Sequence, residues 1–477
     1  MRAAVKKSLC VKSLSLAVFT VLAIGMSGCS LTLTDYQRPE LPQAASFEHA
    51  ESFLGIAISE KYWQLFGDEK FNALAEKALL TNYDLQNAYL NVRAAQAQLG
   101  LTNTNLNPTA SSSAGADARK ELENGTNTKS SSTALQLSYE VDLFGRLAAQ
   151  RRSAEESLNA SAYDYWAMRL SVISALGTAY WQYAYAVEAL RLGNEELDAS
   201  TRRLQLISAK YQAGAADGLE LDTARVNHLA VLDSVEQRRQ NLYMAKNALN
   251  LLLHNTPDVQ LEVSSLDSAV MPNISLVMPA ELLSRRPDLM AAEARLRAAV
   301  ADTDEARLNF YPQFNLSAGL TAGDGSAIAR FLSDPIGALG AAVTLPFLNF
   351  NELSYMEESA MVEKDRAELN FVNTYLTALQ ETADAIDAVN YYQQAVKSMA
   401  ERERLAKLNY QRYEVRYRSG ACPLSDLLDA SDTLRQASIS LLEAKRDSLT
   451  SMLNLMTAAG GDTNESHIAE ILSTSKG

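Results

Sequence analysis

The 477-residue chain contains only three cysteines, four histidines and eleven prolines. Three cysteines exclude a disulfide framework. The histidines, His49, His228, His254 and His467, are scattered and form no group of metal-ligand spacing. Positive charge is short as well. Lys and Arg number 43 against 57 Asp and Glu, a net charge of −14 that argues against bulk electrostatic binding of nucleic acid. Beyond residue 29 no apolar run reaches the roughly 18 residues of a membrane helix. If this part of the chain crosses a membrane, it does so with strands. No P-loop, nucleophile elbow or metal motif is present, so an enzyme is not expected. What is present is an apolar fraction of 47%, enough for a large core.

The N-terminus sets the compartment. Arg2, Lys6, Lys7 and Lys12 precede an apolar stretch from Ser13 to Gly25, followed by Met26, Ser27, Gly28 and Cys29. A basic start, a short apolar run and small residues read as a secretory signal. Gly28-Cys29 directly after that run resembles a bacterial lipobox, with cleavage before Cys29 and acylation of its thiol. Ser30, in place of an aspartate, favours the outer membrane. Removal of residues 1–28 takes away four positive charges and no negative one, leaving −18. It also leaves Cys422 as the one cysteine besides the anchor.

Helix breakers are absent over two long stretches. Residues 147–213 hold no proline and two glycines, and residues 351–419 hold neither. At 1.5 Å per residue each stretch can reach ~100 Å as a helix. Ile173, Leu176, Tyr180, Tyr183, Val187 and Leu190 are spaced three and four apart in the first, as in a coiled-coil seam. Leu369, Val372, Leu376, Leu379, Ala383 and Ile386 are spaced similarly in the second. Spacing alone does not separate this pattern from a soluble antiparallel coiled coil.

The chain repeats itself. KYQAGAADGLELDTA (210–224) matches RYRSGACPLSDLLDA (416–430), with Gly214 and Gly420 placed as helix C-caps and Glu220 opposite Asp426. NYDLQNAYLNVRAA (82–95) matches RPDLMAAEARLRAA (286–299), and the same offset puts Pro108 on Pro312. A nearly constant offset over more than 100 residues indicates a tandem structural repeat.

After each of those prolines the period changes to two. Leu135, Leu137, Tyr139, Val141 and Leu143 alternate with polar residues, as do Phe314, Leu316, Ala318 and Leu320. Leu339, Ala341, Val343, Leu345 and Phe347 alternate with small ones, and residues 108–118 form a weaker fourth strand placed by the repeat. Polar segments 119–132 and 321–335 read as hairpin linkers. Each strand is about as long as a barrel strand that crosses a membrane. Four strands cannot close a barrel in lipid, where about eight are needed and open edges are not tolerated. Strands in the membrane therefore require several chains to share one barrel.

DYQRP (35–39), YWQLFGDEKFNALAEKALLTNYDLQNA (62–88), SYEVDLFGR (138–146), LLSRRPDLMAAEARLRAA (282–299), FYPQFNLSAG (310–319) and LLDA (427–430) run in order through the chain. In them the sequence resembles the outer-membrane efflux proteins, the TolC-like channels, and their lipoprotein (NodT-type) branch. The resemblance implies a mainly α fold with a transmembrane β part: long helical hairpins forming an α-helical barrel, and four strands per chain in a trimeric, shared 12-stranded β-barrel. It implies a signal peptide (1–28), an extended arm with its lipid anchor at Cys29 (29–61), repeat 1 (62–257), a linker (258–278), repeat 2 (279–460) and a tail (461–477). It implies a passive duct exporting small molecules, working with a periplasmic membrane-fusion adaptor and an inner-membrane transporter of RND or ABC type. No cofactor is expected beyond the acyl groups on Cys29.

The gate carries over residue by residue. In the family the periplasmic tip follows a Tyr-x-x-Gly break, with acidic residues six and nine positions beyond the glycine. Asp426 and Asp429 hold those positions after Gly420. The resemblance implies two rings of three carboxylates, favouring cations; the same residues also suit a helix N-terminus. Tyr417 takes the place of a latch tyrosine with Glu220 as partner. Cys422 stands where some members carry a latch arginine, and LPFLNFNELS (345–354) departs from their usual strand ending. A protein-secretion duct and a non-channel periplasmic coiled-coil lipoprotein remain as alternatives.

Overall fold

The computed structural model describes residues 33–42, 46–48, 53, 55, 61–120, 123, 125, 127–275, 282–323 and 327–461. The signal segment and Cys29 lie outside them, as do His49 and His467. Among the described residues no helix is long and apolar enough to cross a membrane, and no group of side chains is arranged to hold a metal ion.

The elements in chain order are α1 (Glu69–Thr81), α2 (Tyr83–Thr104), β1 (Thr109–Lys120), β2 (Asn127–Val141), α3 (Arg146–Gln212), α4 (Gly218–Leu252), α5 (Pro287–Leu308), β3 (Gln313–Gly323), α6 (Ala327–Ser333), β4 (Ile336–Thr344), α7 (Phe350–Arg418) and α8 (Leu424–Ala458). The repeat is visible in them. From α2 to α5 and from α3 to α7 the starts differ by 204 positions; from α4 to α8 they differ by 206. The two extra residues lie within α7, which has 69 residues against 67 in α3.

The chain divides into two compact units, each drawing on both repeats. The first comprises Ala95–Leu158, Arg295–Glu368 and the arm up to Pro39. Its centre is one antiparallel sheet in the order β1-β2-β3-β4. The register pairs Leu135 with Leu320, Leu137 with Ala318 and Tyr139 with Leu316; on the other side of β3 it pairs Leu316 with Ala341 and Ala318 with Leu339. One face therefore collects the apolar side chains of β2, β3 and β4. The other collects Gln136, Ser138, Asn315, Ser317 and the small residues Gly319, Gly340 and Ala342. Most of the apolar face is uncovered: Leu339 is 90% exposed and Val343 54%.

The strands differ from the sequence reading at their outer ends. The segment 119–132, read as a linker, is mostly strand, because β1 runs to Lys120 and β2 starts at Asn127. That stretch of β2 is polar throughout and is held by its ladder to β1, so no alternation marks it. The segment 321–335 contains the last turn of β3 and the short helix α6. β4 ends at Thr344, and Pro346–Asn349 form a 3-10 turn where the alternation suggested strand.

The second unit comprises Glu40–Ala94, Asn159–Ala294 and the chain from Leu369 onward. Its core packs Trp63, Phe66 and Phe71 against Ile173, Leu176, Tyr180 and Trp181 of α3 and Leu449, Leu453 and Met456 of α8. A row of polar bonds ties α3 antiparallel to α8: Ser174 to Asn454 at 3.0 Å, Arg446 to Gln182 at 3.0 Å, Tyr185 to Glu443 at 3.2 Å and Arg435 to Glu196 at 3.4 Å. The first seam is buried through Tyr183, but Val187 is exposed and Ala186 buried in its place. The second seam is displaced. Leu369 and Leu376 are exposed, while Phe371, Tyr375, Ala378 and Thr382 face the core; of the seam residues Ile386 is fully buried and Val372, Leu379 and Ala383 are half-buried. The helix carries two apolar stripes, and the chain covers one of them.

Candidate functional site

The sequence places the gate where the paired helices turn. Both turns close in the same way. At the first, Gly214 N–H donates to Tyr211 O at 3.0 Å and Ala215 N–H to Lys210 O at 2.7 Å. At the second, Gly420 donates to Tyr417 O at 3.0 Å and Ala421 to Arg416 O at 2.8 Å. This is the Schellman pattern, and it needs a left-handed residue. Gly214 and Gly420 supply it, at φ 70° and 73°. The next helices start differently: Asp217 caps α4 by accepting from the Glu220 N–H at 2.8 Å, whereas Pro423 precedes α8 without a side-chain cap.

Between the turns, Ile207, Leu221, Ala224, Leu424, Leu427 and Leu428 form a small apolar cluster around Tyr417. The Tyr417 hydroxyl donates to Glu220 Oε1 at 2.6 Å. Lys210 Nζ lies 4.6 Å from the Tyr417 ring centroid and 3.4 Å from its hydroxyl. Burial pushes the Tyr417 pKa well above the ordinary tyrosine value, and the hydrogen bond to Glu220 adds to the shift. Cys422 is half-buried against this cluster, with Sγ 3.8 Å from the Tyr413 carbonyl oxygen. Asp426 is half-buried in the first turn of α8, and Asp429 is exposed one turn later. The structure thus brings Tyr417 and Glu220 together and sets Asp426 and Asp429 on the outside of the same cluster.

The other quoted motifs turn out to join elements. In SYEVDLFGR, Arg146 bridges Glu140 at 2.8 Å and Glu305 at 3.8 Å, and Asp142 accepts from the Ala148 N–H at 2.9 Å as α3 begins. Phe144 packs on Tyr311, with ring centroids 5.0 Å apart, and Gly145 takes φ 83°. In RRPDL, buried Arg286 donates to both Asp288 oxygens, to Glu381 at 2.7 Å and to the Ala458 carbonyl at 3.2 Å. One polar centre was missed in the sequence. Asp68, the α1 N-cap, accepts from Tyr180 at 2.8 Å and from the Ser264 hydroxyl at 2.9 Å. Its members are 112 and 196 positions from Asp68, so no local pattern announces it.

The model of the outer membrane efflux protein family matches residues 74–254 and 278–461. The chain belongs to this family. Over 419 residues it is 30% identical to the pyoverdine export outer membrane protein OpmQ of Pseudomonas aeruginosa, covering 84% of this chain and 87% of that one. It is 28% identical over 471 residues to the toluene efflux pump outer membrane protein TtgC of Pseudomonas putida, covering 94% and 95%. In fold it is similar to the CmeC outer membrane channel of Campylobacter jejuni, with TM-score 0.84 at 24% identity over 94% of this chain and 98% of that one. This outer membrane efflux protein is the outer-membrane component of an efflux pump, and its family is one of channel proteins. The two matched segments correspond to the two repeats, so the duplication belongs to the family pattern.

Proposed function

We propose that three copies of this efflux protein form one passive, gated duct that exports small molecules across the outer membrane. The observation that carries this reading is the four-stranded sheet, with an uncovered apolar face, a polar opposite face and two unpaired edges, β1 and β4. In lipid an open edge leaves backbone groups without partners. Because each chain contributes an even number of strands, β4 of one copy meets β1 of the next antiparallel, and three copies close a barrel of 12 strands. The apolar face then meets lipid and the small, polar face lines a wet lumen. The uncovered stripe of α7, with Leu369 and Leu376, supplies helix surface for a neighbouring copy.

At the tip, Tyr417 and Glu220 act as the latch, and Asp426 and Asp429 form two acidic rings favouring cations. The lipid on Cys29 fits the position of the arm. Thr34, five residues on, donates through its N–H and its hydroxyl to Asp304, both at 2.6 Å, in the helix that leads into β3. Five extended residues reach at most ~18 Å, so an acyl chain on Cys29 enters the leaflet on the helical side of the barrel. A periplasmic adaptor and an inner-membrane transporter of RND or ABC type supply the substrate and the energy. The relatives' names carry pyoverdine in one case and toluene in the other, and both are small molecules, in keeping with this reading.

The experiment is planar-bilayer recording of the purified mature protein, with its mass in detergent measured alongside. Discrete conductance steps from a species of three chains are expected. A monomer without conductance would leave a coiled-coil tether as the better account.

A further inference from the structure

The short helix α6 between β3 and β4 has no part in the duct or its gate. It packs on β2 and β3, the two central strands, away from the edges where copies join. The Ala327 N–H donates to the Ser131 hydroxyl at 3.1 Å, and Ala327 and Ala322 are buried. Ala322 pairs with Thr133, and both lie on the face that carries Leu135 and Leu320. α6 therefore covers the end of the apolar face farthest from the helices, and not the polar face that lines the lumen.

Its own composition suits a boundary. Ala327 and half-buried Phe331, one turn apart, share a side, whereas Leu332 is 83% exposed and Arg330 is exposed beside it. From Val141 to Thr133 the apolar face spans eight residues, roughly 20 Å along the membrane normal at barrel tilt. That is close to the ~25 Å apolar band of outer-membrane barrels. Beyond Thr133 the same face of β1 and β2 continues as Ser131, Lys129, Asn127, Ala116, Ala118 and Lys120, with two lysines and no carboxylate. An apolar band, a helix with an outward leucine, and then lysines is the order of layers from acyl chains to anionic headgroups.

We propose that α6 is an interfacial helix docked on the lipid of the outer leaflet. Leu332 reaches the acyl boundary, and Lys120 and Lys129 stand at headgroup level. This rests on the reading that the apolar face meets lipid, and the test separates the two. Full-length Leu332→Trp and Leu339→Trp proteins are reconstituted in phosphatidylcholine and phosphatidylglycerol vesicles brominated either near the glycerol or near the chain ends. The native tryptophans, Trp63, Trp166 and Trp181, all belong to the helical unit, and the unsubstituted protein gives the baseline. For Leu332→Trp we expect a roughly two-fold loss of the added emission with the shallow bromines, as for a ring about 5–10 Å into the interface. For Leu339→Trp we expect the larger loss with the deep ones. Quenching of Leu339→Trp without quenching of Leu332→Trp overturns the role of α6 and keeps the lipid-facing sheet. Quenching of neither overturns both.

Discussion

Tyr417 donates a 2.6 Å hydrogen bond to Glu220 across 197 positions of chain, and so joins the hairpin of one repeat to that of the other. The repeat offset of 206 carries Tyr211 onto Tyr417 and Glu220 onto Asp426. The chain thus contains the parts of a second such bond, Tyr211 with Asp426, and leaves Tyr211 48% exposed. In the proposed ring of three chains the second bond would form between copies, and the tip would be held by alternating bonds within and between chains. Tyr211→Cys combined with Asp426→Cys is expected to cross-link purified protein into species of three chains, and a yield confined to the monomer band contradicts the arrangement.

The protein is expected to lose stability at alkaline pH. The Tyr417 pKa lies above its ordinary value of 10.0 because burial and Glu220 favour the neutral phenol. A raised folded pKa contributes stability that is fully present below pH 10 and is lost as pH rises above it. Tyr185, pushed up to about 12 by burial and by Glu443, adds to the loss in the same direction. Thermal unfolding followed from pH 9 to 11 is expected to fall with pH, and to fall less in Tyr417→Phe.

At Gly177, α3 packs directly against Leu453 of α8. A β-carbon there collides with the side-chain end of Leu453, which is fully buried, and it crowds Phe71 and Trp181 at 3.3 Å. Alanine in place of a mid-helix glycine ordinarily gains about 1 kcal/mol. Overpacking costs about 1–3 kcal/mol, and here it wins. Gly177→Ala is expected to lower the denaturation midpoint, whereas a glycine-to-alanine change at exposed Gly100, where nothing lies within 4 Å, raises it.

Arg286 holds Asp288, Glu381 and the last carbonyl of α8 at once. Its removal leaves two carboxylates that are 38% and 53% exposed, so water compensates in part. Arg286→Met is expected to cost about 2–4 kcal/mol. Arg286→Lys recovers only part of this, because an ammonium lacks the fork that binds both Asp288 oxygens. Chemical denaturation of the three proteins checks the order.

Much of this architecture is legible in the sequence, for identifiable reasons. The lack of proline and glycine over residues 351–419 marks α7, and the repeat locates both turns through Gly214 and Gly420. Alternation marks β3 and the inner half of β2, where one face is apolar. The outer half of β2 carries no such mark, because Asn127, Thr128, Lys129 and Ser130 are held by backbone pairing alone. The seam of α7 is displaced at Leu369 and Leu376 but not at buried Ile386, because Leu369 and Phe371 begin two different apolar stripes and spacing does not say which one the chain itself buries. At the tip, the Tyr417–Glu220 pair is what the family resemblance implies, and the repeat alone does not pair them. Asp68 with Tyr180 and Ser264 needs three distant segments to meet, and only the folded chain shows that they do.

Single-channel recording of Tyr417→Phe beside the unsubstituted protein shows whether Tyr417 and Glu220 hold the duct closed at its tip. The variant keeps the ring in its apolar cluster and removes the hydroxyl that reaches Glu220. Larger conductance steps or longer openings are expected, with cation selectivity retained because Asp426 and Asp429 are intact. Steps of unchanged size and duration would contradict this latch and place the constriction elsewhere in the chain.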